Sequence, residues 1–463
     1  MAIKSDVLVV GGGLAGVTSA VAAARNGADV RLISHKKTTL RQASGLVDGL
    51  GYVPGRSQST DREDSPSQKR RDFRAFRDNR SEYRGPLITP FDGIDSLPDG
   101  HPYSILGADA LRSGLSLFDD LVDGAYLGGH TEKNALVPTF GGTVKPTARY
   151  PRAAAAGIAS DNRSMLVAGF RSFTDFDARM VADNLDAAGV PFGVTGAEIA
   201  FADPFPADAE VTRFAKALDH DERIDGTPAR QALADAVSPH VGDAKRVGFP
   251  ALLGDDNADE VRAELEDRLG AAVFEIPTGP PSLPGLRLED RLYAALDAEE
   301  VKYETGCPVV GYETAAGTPS RVETVLVDRS GQEIPYSASA FVLATGGFVG
   351  KGLDSDRDRV FEPVFDCHVP QPPDRYDWFV DDAFGDHPYA RFGVNPDATM
   401  RPLDADGDPE FTNLYAAGSA VGGADVAREK SASGVSLATG AVAGRAAAAA
   451  IEDLNLELGT TEI

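Results

Sequence analysis

Ten residues near the start of the chain constrain its fold more than any other stretch. Val7-Leu8-Val9-Val10 is an apolar strand pattern that runs straight into Gly11-Gly12-Gly13-Leu14-Ala15-Gly16, a G-x-G-x-x-G spacing. A helical pattern from Val17 follows and closes on Gly27. Gly11 permits the tight turn out of the strand, and Gly13 lets backbone approach a phosphate. Gly16 allows the helix to lie close on the sheet. The free N–H groups of the first helical turn attract an anion. Strand, glycine turn and helix in this order predict a binding turn for the phosphate of a nucleotide or flavin, with Leu14 and Ala15 inside it. The bland alternative is an ordinary glycine-rich βα turn.

A chain of 463 residues is too long for one simple core, so two domains are expected. The 42% hydrophobic content is that of a globular protein. No apolar run approaches the roughly 20 residues of a membrane span, and strand residues begin too early for a signal peptide. These points favour a cytosolic chain. The net charge is −26, from 71 acidic and 45 basic residues, with 11 lysines against 34 arginines. Such a surface repels nucleic acid. Acid spread along the whole chain is typical of extreme halophiles, where salt screens the self-repulsion. The acidity therefore describes a solvent and not a substrate.

The only cysteines, Cys307 and Cys367, form no C-x-x-C and suggest neither a disulfide framework nor an iron–sulfur cluster held by this chain alone. Asp366-Cys367-His368 lies in an alternating run that reads as a strand, so no metal site is expected there. Cys307 has no base nearby in sequence. Trp378, with Tyr376 and Phe379, reads as core or interface.

A second strand, Asp29 to Ser34, ends on Ser34 and His35, where many nucleotide-binding proteins carry an acid for the adenosine ribose. Residues 35–51 are glycine-punctuated, and Ser44 and Gly45 suit a loop lying against a planar ring. Residues 55–85 are polar and charged, as in a surface insertion. His101-Pro102-Tyr103-Ser104 reads as a turn before a helix over 107–123. From there to about 330 the chain alternates strand and helix patterns, which predicts a second unit of α/β or α+β type over 111–330. Within it, the proline-rich run 276–288 reads as a stiff extended loop followed by a helix over 288–299. The strand Ala340 to Ala344 ends in Thr345-Gly346-Gly347, and Asn413-Leu414-Tyr415-Ala416-Ala417 ends in Gly418-Ser419. A long helix then begins near Ser431 and offers its own unpaired N–H groups.

Three glycine-terminated strands in this order resemble the two-dinucleotide-binding-domain flavoproteins. The resemblance implies an α/β fold with a discontinuous, Rossmann-like FAD/NAD(P)-type flavin domain (1–110 and 331–463) carrying an inserted domain (111–330). It implies cofactor contacts at Gly11, Gly13, Leu14, Ala15, Gly16, Ser34, His35, Ser44, Gly45, Thr345 and Gly346. Gly418, Ser419, Ser433, Gly434 and Val435 would hold the ribityl–phosphate chain and turn a helix N-terminus toward the ring.

A narrower resemblance is carried by S-G-L-V-D-G-L near 44, H-P-Y-S-I-L-G at 101–107, P-P-S-L-P-G-L-R-L at 280–288, F-G-V with M-R-P at 392–402, and N-L-Y-A-A-G-S-A-V-G-G. Together these are similar to the B-subunit family of anaerobic glycerol-3-phosphate dehydrogenase. That family implies oxidation of sn-glycerol 3-phosphate to dihydroxyacetone phosphate, with electrons passing to membrane quinone. It implies an A-type flavin subunit, an iron–sulfur C-type subunit, and a cytoplasmic position at the inner membrane face through those partners. FMN is the expected cofactor, in keeping with the missing acid at Ser34, and FAD the alternative. Hydride transfer could lie here or on the A-type chain, so the catalytic residues stay unknown. His101, His387, Arg391 and Arg401 are candidates for a substrate role. Two other readings are a stand-alone enzyme of the fumarate reductase and L-aspartate oxidase type and a scaffold without flavin. Few histidines in 111–330 speak against the first, and complete glycine motifs against the second.

Overall fold

The computed structural model describes residues 2–36, 39–55, 83–201, 205, 210–315 and 321–461. The first half runs β1 (Ile3–Val10), α1 (Leu14–Ala24), β2 (Val30–Ser34), α2 (Pro102–Leu106), α3 (Ala108–Leu121), β3 (Met165–Phe170), α4 (Ala178–Ala187) and β4 (Val194–Ile199). Then come α5 (Val211–Asp219), α6 (Ala229–Val241), β5 (Arg246–Pro250), α7 (Ala258–Leu269), β6 (Ala272–Ile276) and α8 (Leu283–Ala298). The chain ends with β7 (Lys302–Thr305), β8 (Val309–Thr314), β9 (Val322–Arg329), β10 (Gln332–Leu343), β11 (Leu414–Ala416), α9 (Val426–Glu429) and α10 (Ala432–Thr461).

Two compact units divide these elements. The first comprises residues 1–36, 49–115 and 300–463, and the second 37–48 and 116–299. In the first, seven strands form one sheet in the order β7-β2-β1-β10-β9-β8, with β11 also on β10. β1 lies parallel to both β2 and β10, with Val10 opposite Ile33 on one side and Leu343 on the other. β9 and β8 add on antiparallel. The centre of β1 is fully buried on both faces, which explains its unbroken Val-Leu-Val-Val run. β2 and the later strand β10 flank β1 on opposite sides, and such a switch point opens a crevice at the carboxyl ends of the strands.

Helix α10 closes the first unit. It is long and apolar enough over Ala432–Ile451 to cross a bilayer, contrary to the expectation of no such run, but most of that stretch is buried inside the protein. Its small residues explain why. A Cβ on Gly440 would stand 2.7 Å from the Ala15 carbonyl oxygen, and one on Gly444 2.2 Å from that of Ser19, so α1 and α10 pack backbone against backbone.

The second unit holds a four-stranded, all-parallel sheet, β4-β3-β5-β6. Its core gathers Phe170, Phe214, Phe249 and Phe274 with aliphatics from α4 to α8. Arg246 is wholly buried there and donates to the carbonyls of Ala156, Ile158, Asp161 and Arg163.

Several sequence expectations change. The second unit stops at Glu299 and takes in residues 37–48, because β7 pairs with β2 and β9 with β10. The run expected to be extended to 288 is helical from Leu283, since Pro284 sits in the first turn of α8, where its missing N–H costs nothing. The turn expected at 101–104 opens a short helix, α2, which stops before Gly107 at φ +78°, and the helix expected over 107–123 follows at once as α3. Residues 366–368 form no strand, because Asp366 takes φ +54° and breaks the alternation. Most of the polar insertion, 56–82, lies outside the described residues.

Candidate cofactor site

The carboxyl ends of β1, β10 and β11 meet over the start of α1. Gly11 has φ +123°, and a Cβ on it would lie 2.1 Å from the Ala344 carbonyl oxygen at the end of β10. A Cβ on Gly16 would lie 1.9 Å from the Gly11 carbonyl oxygen, which fixes the helix against the turn. Gly418, at φ +71° after β11, would bring its Cβ within 2.7 Å of Ala15 Cβ. A Cβ on Gly347 would stand 3.0 Å from the Ser419 carbonyl oxygen. Gly11, Gly16 and Gly418 are thus held by contacts that no side chain fits without a shift, and Gly347 packs tightly on the Ser419 backbone, so segments far apart in sequence meet here.

Gly13 is different. It caps α1 with φ −76°, a region open to any residue, and a Cβ there would meet nothing within 4 Å. The first turn of α1 carries no acidic side chain and no side-chain cap. The positive end of a helix and its N–H groups therefore face open space at Gly13. Beside this turn, the Thr345 hydroxyl is buried with no hydrogen-bond partner among the described residues. The residues present fit a phosphate-bearing cofactor.

The remaining sequence candidates divide. Thr345 and Gly346 (φ +85°) form the tight loop after β10, whose Gly346 carbonyl leaves no room for a side chain at Gly352. The Gly418 N–H donates to Thr439 Oγ1 at 2.9 Å, and that hydroxyl donates to the Val435 carbonyl, so α10 holds the glycine in place. Thr439 escapes the sequence reading; its only signal is its position one turn after Val435 on the inner face of an alanine-rich helix. Gly434 is required for packing: a Cβ there would meet the Tyr103 hydroxyl at 2.3 Å and the Gly49 carbonyl oxygen at 2.8 Å. Val435 is buried, while Ser419 is exposed.

Ser34 is buried and donates to the Lys36 carbonyl at 3.1 Å; His35 is exposed. On the adjoining strand β7, Glu304 pairs opposite Ile33 and already holds Arg31, Arg329 and the Tyr336 hydroxyl. Ser44 and Gly45 belong to the second unit, where Gly45 (φ +71°) abuts Pro284.

The four candidates for substrate contact are all engaged. His101 is wholly buried and caps α2. His387 Nδ1 accepts the Val380 N–H and Nε2 lies 3.2 Å from the Ala383 carbonyl. Arg391 donates to Asp386 at 2.5 Å and to the Tyr83 hydroxyl at 3.2 Å, and Arg401 pairs with Asp397. Burial pushes the Cys367 and Cys307 thiols up, so neither is a ready nucleophile. Trp378 is buried, donates to the Pro372 carbonyl and stands edge-on to Phe392, while Tyr376 and Phe379 are exposed. Among the described residues, no three His, Cys, Asp or Glu side chains group as metal ligands.

Residues 6–435 match the family described as "FAD binding domain". The chain is 54% identical over 457 residues to a Halobacterium salinarum protein named as a probable B subunit of anaerobic glycerol-3-phosphate dehydrogenase, spanning 98% of this chain and 100% of that relative. It is 29% identical to proteins named as the B subunit of the same dehydrogenase from Pectobacterium atrosepticum and Yersinia pseudotuberculosis, spanning 94% of this chain and 96% of each. A halophilic relative accords with the acidic composition. The expectation of FMN finds no support in these matches, because the matched family binds FAD. A missing acid at Ser34 removes one ribose contact and leaves the phosphate turn intact.

Proposed function

This chain belongs to the FAD-binding flavoprotein oxidoreductases, within the B-subunit family of anaerobic glycerol-3-phosphate dehydrogenase, and from that premise we propose that it carries FAD in an enzyme oxidising sn-glycerol 3-phosphate to dihydroxyacetone phosphate. The observation that carries this reading is the mutual locking of Gly11, Gly16 and Gly418 around an open Gly13. When bound, the flavin supplies a two-electron acceptor able to pass electrons on. The protein supplies the rest. Gly13 and the first turn of α1 receive the pyrophosphate, with Gly11, Leu14, Ala15 and Gly16 shaping the turn. The Thr345–Gly346 loop and Gly418–Ser419 line the cofactor from the opposite side. The start of α10, at Ser433 to Val435, presents its N-terminal end to the ring, where partial positive charge favours the reduced anion.

Electrons then leave for membrane quinone through an A-type flavin subunit and an iron–sulfur subunit, and those partners hold this chain at the inner membrane face. Its two cysteines are too few for a four-cysteine cluster, so the cluster belongs to a partner. No free base stands among the four substrate candidates, which favours an electron-relay role next to a catalytic A-type chain.

Protein purified in high salt and denatured by heat should release FAD, identified by its mass. Release of FMN would overturn the cofactor assignment, and absence of flavin the whole reading. The lone chain should show little glycerol-3-phosphate:dye activity and co-expression with the A-type chain much more; full activity alone would exclude the relay role.

A further inference from the structure

A buried carboxylate stands three residues ahead of Ala432, the start of α10, and no described lysine or arginine pairs with it. Glu429 ends α9 at 1% exposure. Its Oε1 accepts the Asp425 N–H at 3.0 Å, and its Oε2 accepts the Ser431 hydroxyl at 2.8 Å. The same Oε2 lies 3.1 Å from Nε2 of His101, which is wholly buried. His101 Nδ1 accepts the Tyr103 N–H at 3.0 Å, so the ring proton sits on Nε2 and is donated to Glu429. In this tautomer Nδ1 stays an acceptor, the role that caps α2. Among the described residues no lysine or arginine forms an ion pair with this carboxylate. Three donors thus hold a single negative charge in the interior without cancelling it.

The charge is also fixed in place. The Glu429 carbonyl accepts the N–H groups of Gly51 and Tyr52 at 2.8 and 2.9 Å. The Tyr103 hydroxyl donates to the Gly49 carbonyl at 2.7 Å, and both press on Gly434 in the first turn of α10. The buried Ser431 gives its carbonyl to the Val435 N–H at 2.8 Å, opening that turn. Residues 49–52, 101–103 and 425–431 are therefore bolted together around one carboxylate, beside the helix end that the proposed function turns toward the flavin.

We propose that Glu429, held by His101 and Ser431, is a positioning residue that sets the reduction potential of the bound flavin. The inference rests on the flavin reading above. A helix N-terminus alone favours the anionic reduced ring; a fixed negative charge beside it opposes that state and keeps the reduced flavin a better electron donor. A chain that hands electrons onward gains from such a bias. His101 thus acts on the cofactor through Glu429 and not on substrate.

The test is the midpoint potential of the flavin in the purified holoprotein, measured by dye-coupled titration, alongside flavin content and melting temperature. Glu429→Gln removes the charge and should raise the potential, shifting the oxidised-to-reduced balance about tenfold, the order expected for one charge at intermediate distance in a protein interior. Glu429→Asp and His101→Gln keep the charge and should lower the melting temperature while leaving the potential near that of the wild type. If Glu429→Gln does not accumulate with flavin, His101→Lys places a cation on the same carboxylate and should raise the potential likewise. An unchanged potential in whichever charge-cancelling variant retains flavin would overturn the proposal. So would equal shifts in all variants, which would mark a purely structural role. A wild-type protein that binds no flavin would instead sink the functional reading itself.

Discussion

Both units run a parallel strand through a glycine turn into a helix: β1 through Gly11–Gly13 into α1, and β5 through Gly254 into α7. Their contents are opposite. In the second unit the turn is filled from within. Asp219, the last residue of α5, accepts N–H groups from Asp255, Asp256 and Asn257 at 2.7, 3.0 and 2.9 Å, just ahead of α7. Gly254, at φ +88°, makes room for it, since a Cβ there would stand 2.4 Å from Asp219 Oδ1. In the first unit, among the described residues, no side chain caps α1 and no acid stands in its first turn, and a Cβ on Gly13 would meet nothing within 4 Å. A parallel sheet with a helix dipole at its edge is thus only half of a phosphate site. The other half is an interior that brings no anion of its own.

The largest expected effect tests the empty turn. Gly16→Val places a side chain where the Gly11 carbonyl oxygen already lies 1.9 Å from the Cβ position. It should cost upward of about 4 kcal/mol and abolish flavin retention, as read by thermal unfolding and visible absorbance. A variant that stays yellow and melts normally would break the claim that α1 is fixed by this contact.

Next comes the filled turn. Asp219→Ala leaves three N–H groups without their acceptor and should cost roughly 2–4 kcal/mol. Flavin content should not change, since Asp219 lies in the other unit. Millimolar inorganic phosphate should restore part of the melting temperature of D219A and do nothing for wild type. Equal responses in both proteins would show that the two turns do not differ in the way described.

How far these contents are legible depends on the kind of signal. The empty turn can be read directly, because strand pattern, G-x-G-x-x-G and helix are contiguous and each glycine has a local reason. The filled turn cannot. Asp219 and Asn257 lie on separate helices, and nothing in a string of aspartates in an acidic chain singles out the one that points inward. The same holds for His101 and Glu429: H-P-Y reads as a turn, in keeping with the α2 cap, but its buried partner lies far along the chain. Domain limits escape for a related reason, since pairing of β7 with β2 is a long-range choice. The start of α8 is missed when prolines are weighed as breakers without regard to their place in the first turn.

A second self-filled nest offers a pH test. Glu362, wholly buried in the first unit, accepts N–H groups from Val364, Phe365 and Cys367. Burial outweighs these bonds and raises its carboxyl from the ordinary 4.5 to about 7. Between those values the unfolded chain ionises while the folded one keeps its proton. Stability from this group is therefore full below 4.5, falls as pH rises, and levels off above about 7. The loss should be on the order of 3 kcal/mol, and Glu362→Gln should flatten the profile across that window in denaturant titrations. An unaltered slope would mean that the backbone donors hold the carboxylate charged, as a bound anion would be.

The smallest effect on stability is the sharpest test of the comparison. Gly13 has an ordinary φ and free space around its Cβ position, so Gly13→Ala should change stability by less than about 1 kcal/mol and could even gain from reduced chain entropy. Nothing inside the protein requires glycine there. If the position exists to let backbone approach a phosphate, the methyl group must be felt by the ligand alone, and flavin retention should fall while the melting temperature of the flavin-free protein stays put. Gly11 and Gly16 cannot separate these roles, because their substitution damages the fold first. A Gly13→Ala protein that binds flavin as tightly as wild type would leave the open turn without a purpose, and the two units would then differ in packing but not in function.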